Sequence, residues 1–104
     1  TYTVEGMPEW VTNDGCVIFA WVWSVTNMGM WVDTVYTSET SLTFTIDEAI
    51  TGMLLARCIS GTSQPDWTVQ GDVSGRIYNQ TENIDVTSGI LTYTCASWKE
   101  YNPN

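Results

Sequence analysis

The chain has 104 residues, is 43% hydrophobic, and carries a formal charge of 3 − 12 = −9 from its Lys plus Arg against its Asp plus Glu. That length holds one core, no apolar run approaches the roughly 18 residues of a membrane span, and the acidity repels phosphate, so one domain is expected, with neither nucleic acid nor membrane as partner. With 3 cysteines and no histidine, neither a Ser-His-Asp or Cys-His catalytic arrangement nor a Cys/His zinc site can be assembled.

Thr1 to Glu5 alternates Tyr2 and Val4 with polar residues and predicts a first strand, closed by Gly6 and Pro8. Trp10 falls in a connection. Asn13-Asp14-Gly15 is a turn signal, because these residues tolerate positive φ, and it launches the central stretch Cys16 to Trp23. That stretch carries no charge and is rich in β-branched and aromatic residues, so it predicts a strand buried on most of both faces. Alternation places Cys16, Ile18, Ala20 and Val22 on one side and Val17, Phe19, Trp21 and Trp23 on the other. The first set suits a close-packed core. The second is a row of large rings whose indole N–H groups need polar partners, so the row is a candidate ligand surface. The alternative is that these rings only fill space beneath a covering loop.

Asn27-Met28-Gly29 turns the chain into a third strand, Met30 to Tyr36, which brings Trp31 beside Trp23 if the two form a hairpin. Ser41 to Ile46 alternates cleanly, with Leu42, Phe44 and Ile46 inward and one face solvated. Asp47 to Gly52 is too short for a stable helix, and Met53 to Ile59 predicts a further strand. A long polar connection, Ser60 to Gly75, carries Trp67 beside Asp66, and loops of this length without structure of their own are often functional. Arg76 to Val86 continues as strand, Thr87-Ser88-Gly89 turns, and Ile90 to Ser97 is the last strand. The polar tail from Trp98 to Asn104 predicts a linker remnant.

Short strands separated by turn signals, with no convincing helix, predict an all-β fold: an antiparallel β-sandwich of about seven strands. Each cysteine sits in an apolar strand, which predicts buried free thiols; a disulfide from Cys58 to Cys95, or from Cys16 to either, is the alternative. Paired carboxylates such as Asp47 with Glu48, or Asp66 with Asp72, fall in turns and offer no cleft that would raise an acid, so no catalysis is expected. No metal or cofactor is expected. The 6 tryptophans on a cation-poor sheet are suited to stacking on pyranose rings, with Asn79, Gln80, Arg57 and Asp66 as partners for hydroxyl groups.

In order along the chain stand Ile-Phe-Ala-Trp-Val-Trp (Ile18 to Trp23), Gly29-Met30-Trp31, Leu55-Ala56-Arg57-Cys58, Trp67, and Tyr78-Asn79-Gln80-Thr81 with Ile84. This order resembles small starch-binding modules of secreted bacterial proteins, similar to carbohydrate-binding module families twenty-five and twenty-six, over roughly Tyr2 to Thr94. The resemblance implies a non-catalytic β-sandwich that binds α-glucan polysaccharide, tethered to a larger multidomain extracellular protein and therefore secreted or displayed at the cell surface. It places Trp21, Trp23 and Trp31 on the binding platform with Gln80 and Arg57 as polar contacts, and Trp67 joins them as a loop contact. Tyr78 departs from the tryptophan usual before Asn-Gln-Thr, and the connection from Trp67 to Tyr78 is longer than in those modules. A protein-interaction or adhesin module, or a module for β-linked glucan or hemicellulose, would carry the same aromatic surplus.

Overall fold

The computed structural model describes residues 1–104 as ten strands: β1 (Tyr2–Glu5), β2 (Val17–Trp23), β3 (Met30–Asp33), β4 (Val35–Tyr36), β5 (Leu42–Phe44), β6 (Gly52–Cys58), β7 (Ile77–Thr81), β8 (Ile84–Asp85), β9 (Thr92–Thr94) and β10 (Trp98–Glu100). They form a four-stranded sheet in the order β4-β5-β1-β9 and a six-stranded sheet in the order β10-β7-β6-β2-β3, with β8 continuing the β7 side of β6. The fold is a β-sandwich, as the alternation predicts. Five of the ten strands, β4, β5, β8, β9 and β10, are only two or three residues long, and three of them, β4, β8 and β10, account for the excess over seven. Pairing is antiparallel except for β1 with β9, which run parallel.

The two long apolar strands pair along their whole length, from Val17 opposite Cys58 to Trp23 opposite Gly52. One face of that pair closes the core. Ile18, Ala20, Val22, Met53 and Leu55 meet Val4, Leu42 and Phe44 of the opposite sheet, all nearly inaccessible to water. Each such aliphatic contributes about 1.5–3 kcal/mol by leaving water, so this layer carries most of the fold's stability. No tryptophan belongs to the buried set.

The stretch Met30 to Tyr36 is not one strand. Its two halves belong to different sheets, and the crossing at Thr34 is held by its hydroxyl donating to the Ile18 carbonyl at 2.6 Å. Trp10 likewise lies in structured chain: Glu9–Gly15 forms 3-10 turns kinked at Asn13 and Asp14, the latter at φ 61°. Val11 of this segment plugs the core.

The tail is the clearest correction. Trp98–Glu100 pairs antiparallel with Asn79–Thr81 of β7, and the Tyr101 N–H donates to the Tyr78 carbonyl at 3.0 Å. A linker remnant would leave those groups to water; here they complete the edge of the larger sheet.

Candidate functional site

The second face of the six-stranded sheet, turned away from the core, carries the rings. Trp21 stands directly opposite Trp31 on β3, so their shared face is set by strand register. Trp21, Trp31 and Trp67 form a triad: centroids lie 4.7 Å apart for Trp21–Trp31, 5.5 Å for Trp21–Trp67 and 4.9 Å for Trp31–Trp67. The last pair is stacked at 29°, the other two are edge-on at 60° and 88°. Phe19 closes one flank, 6.4 Å from Trp31, and Tyr101 the other, 5.1 Å from Trp67. All three indoles remain part-exposed. The arrangement is a pile of mutually packed rings, not a coplanar row, because edge-to-face and offset contacts are favoured between aromatic quadrupoles.

Two glycines make room for this face. A Cβ on Gly29 would sit 2.1 Å from the Trp21 ring, and one on Gly52 would sit 2.3 Å from the Trp23 ring. Each indole therefore lies over bare backbone, Trp21 at the β2–β3 turn and Trp23 at the start of β6. Trp23 is held this way beyond the triad, with no ring of the cluster in contact.

Trp67 reaches the cluster from the long connection, whose conformation is fixed internally. The Asp66 carboxylate accepts from the Thr68 N–H at 2.8 Å and from the Thr68 hydroxyl at 2.7 Å, and these bonds hold its pKa below the ordinary carboxylate value. The Asp66 N–H donates to the Gly75 carbonyl at 3.0 Å, and the Gly75 N–H to the buried Thr62 hydroxyl at 3.1 Å. Asp66 is thus a turn-forming residue. The Trp67 carbonyl in turn accepts from the Tyr101 hydroxyl at 2.5 Å. Tyr101 is the residue that the pattern of the sequence does not single out, since it lies in the polar tail and meets Trp67 only through the fold.

The polar candidates separate. Gln80 pairs across the sheet with Ala56, itself opposite Phe19, so it shares the outer face and one row with the aromatic cluster. Arg57 does not. Its alternation puts it on the opposite side, where Nε donates to the Val11 carbonyl at 2.9 Å, Nη1 to Asn79 Oδ1 at 3.1 Å and Nη2 to the Asn13 carbonyl at 3.3 Å. It ties the 3-10 segment to the sheet. Asn79 is taken up in that same clamp.

The thiols are unpaired, with Cys16 and Cys58 buried and Cys95 part-exposed. Burial raises all three, Cys58 up to about 12, so none is a poised nucleophile at neutral pH. No three His, Cys, Asp or Glu side chains converge as a metal site, and no helix is long and apolar enough to cross a membrane. Comparison of the chain with protein families, with curated proteins and with solved structures finds no match in any of the three.

Proposed function

We propose that this domain is a non-catalytic carbohydrate-binding module whose ligand is polysaccharide of the α-glucan type, met by the outer-face cluster of Trp21, Trp31 and Trp67 with Gln80 beside it. The observation that supports the reading most is the division of labour in the sandwich. The core between the sheets is built of aliphatics, methionines and one phenylalanine, with Trp98 packed part-buried against it, while Trp21, Trp31 and Trp67 lie part-exposed on the outer face of the larger sheet. Rings of that size left part-wet on one sheet face cost solubility unless they meet something. The axial C–H faces of a pyranose ring suit indole, and hydroxyl groups suit an adjacent carboxamide. The resemblance to starch-binding modules adds the α-linkage. On this reading the domain is one module of a larger secreted or cell-surface protein.

A second reading, a protein-interaction module, is favoured by exposed aliphatics at the β2–β3 turn, where Val25 is 94% and Met28 96% accessible. Native gels cast with amylopectin, glycogen, xyloglucan or mixed β-glucan separate the two. Retardation in amylopectin or glycogen is expected; retardation only in the β-linked gels would reassign the linkage, and migration unchanged in all four would overturn the glycan reading.

A further inference from the structure

At one end of the sandwich, with no member of the tryptophan triad in its lining, a groove of about 890 Å³ is walled by Trp10, Arg57, Arg76, Tyr78, Asn79 and Glu100. Of the chain's 3 Lys plus Arg, both arginines line it, although acids outnumber cations four to one in the whole molecule. Neither guanidinium has a carboxylate partner, since the single ion pair of the chain joins Lys99 to Glu82. Arg57 lies between two rings, its Cζ 5.5 Å from Trp10 and 5.8 Å from Tyr78, and Arg76 lies 5.1 Å from Tyr78. These contacts, the three hydrogen bonds of Arg57 to neutral acceptors, and those that Arg76 donates from Nε to the Ile77 carbonyl and from Nη1 to the Gly71 carbonyl fix both cations before any ligand arrives.

A guanidinium has five N–H groups, and Arg57 uses one each from Nε, Nη1 and Nη2, which leaves one free on each Nη. Trp10 at the rim is 41% exposed. The clamp that holds the 3-10 segment accounts for Arg57 alone; it requires neither Arg76 nor an open indole. The two arginines are matched by the carboxylates of Asp14 and Glu100 in the same lining, so the groove carries no net charge that would select an anion. Fixed donors, carboxylate acceptors and two aromatic rings around a neutral hollow are what a polyhydroxylated ring needs.

We infer that this groove is a second glycan site, taking a neutral pyranose unit against Trp10, with Arg57, Asn79 and Glu100, neighbours in one cross-strand row, facing its hydroxyl groups. The ligand class rests on the function proposed above; the location does not. Tyr101 both packs on Trp67 and lines the groove, so the two sites adjoin through one side chain.

Titration of the 15N-labelled chain with maltoheptaose, and in parallel with cellohexaose, tests both proposals at once. The indole N–H of Trp10 and the Nε–H of Arg57 are expected to shift with one of the two sugars, along a saturation curve distinct from that of Trp31 and Trp67. In Trp31→Ala the Trp10 curve should stay within about twofold of its midpoint, and Glu100→Gln should weaken it at least fivefold while leaving the Trp31 curve unchanged. Shifts at Trp31 and Trp67 with Trp10 and Arg57 unmoved would overturn the second site and leave the module's function standing. Shifts at Trp10 and Arg57 alone would keep the groove as a glycan site and remove the Trp21, Trp31 and Trp67 cluster as the platform, and no shift at any indole would sink both.

Discussion

Trp31 is the residue on which the outer cluster turns, because it touches Phe19, Trp21 and Trp67 and yet stays part-exposed at the sheet margin. Trp31→Ala is therefore expected to weaken polysaccharide retardation by more than tenfold, about 1.4 kcal/mol or more, with the thermal transition still cooperative. Trp21→Ala should also lose stability, since the Trp21 ring covers Gly29 and its strand is central. Unchanged affinity in Trp31→Ala would make the cluster a structural cap. Cysteine chemistry gives an independent check on burial at both faces of the larger sheet. Cys58 is fully buried and its pKa is raised from 9.0 to about 12, chiefly by desolvation and further by nearby Cys16. A thiol that is harder to ionise folded than unfolded contributes stability in full below the unfolded value, and that contribution is lost as pH rises from about 9 toward 12. Cys58→Ala should flatten the alkaline limb of the stability profile. At pH 8 at most Cys95, the part-exposed thiol, is expected to react quickly with an aromatic disulfide, and two or three fast thiols in the folded chain would contradict the burial of Cys16 and of Cys58, which packs with Phe19, Ala56 and Ile77 beneath the outer cluster.

At the scale of elements, what the sequence made legible is what local pattern controls. The alternation of Val17–Trp23 separated core aliphatics from outer rings correctly, and Leu42 and Phe44 point inward as the period of two requires. What it left hidden depends on partners distant in the chain. Trp98–Glu100 is polar and short, so nothing local distinguishes it from a linker; only β7, already built, gives it an edge to complete. The resemblance groups Arg57 with Gln80, but they lie at adjacent rows of opposite parity, because Gln80 pairs with Ala56. Tyr101 is the same lesson inside the site: its hydroxyl and ring both hold Trp67, 34 positions earlier. Tyr101→Phe keeps the ring and removes one hydrogen bond, which should cost about 1 kcal/mol and lower the melting midpoint by about 4–8 °C. Tyr101→Ala also frees the face of Trp67, so glycan affinity should fall several-fold with it. Equal midpoints for wild type and Tyr101→Ala would mean that the tail does not anchor the loop.

For the molecule as a whole, charge acts on stability and on recognition in different ways, and salt separates them. Twelve acids against three cations, with one exposed ion pair at 3.5 Å between Lys99 and Glu82, leave the folded chain under net self-repulsion. An exposed pair of that kind contributes at most about 1 kcal/mol, so it does not offset the remaining charge. Added sodium chloride shortens the Debye length from about 30 Å at 0.01 M to about 3 Å at 1 M, which screens the repulsion in the compact state. The melting midpoint should accordingly rise with salt. A neutral glycan held by indole faces and a carboxamide has no charge pair to screen and releases no counterions, so its affinity should change by less than about twofold over the same range. A protein partner steered by the −9 charge would instead bind more weakly at high salt. Measuring both quantities in one salt series is decisive because each controls for the other. A rising midpoint with flat affinity is the expected result, whereas affinity that falls steeply while the fold gains stability would move the outer face from a sugar platform to a charge-steered protein interface.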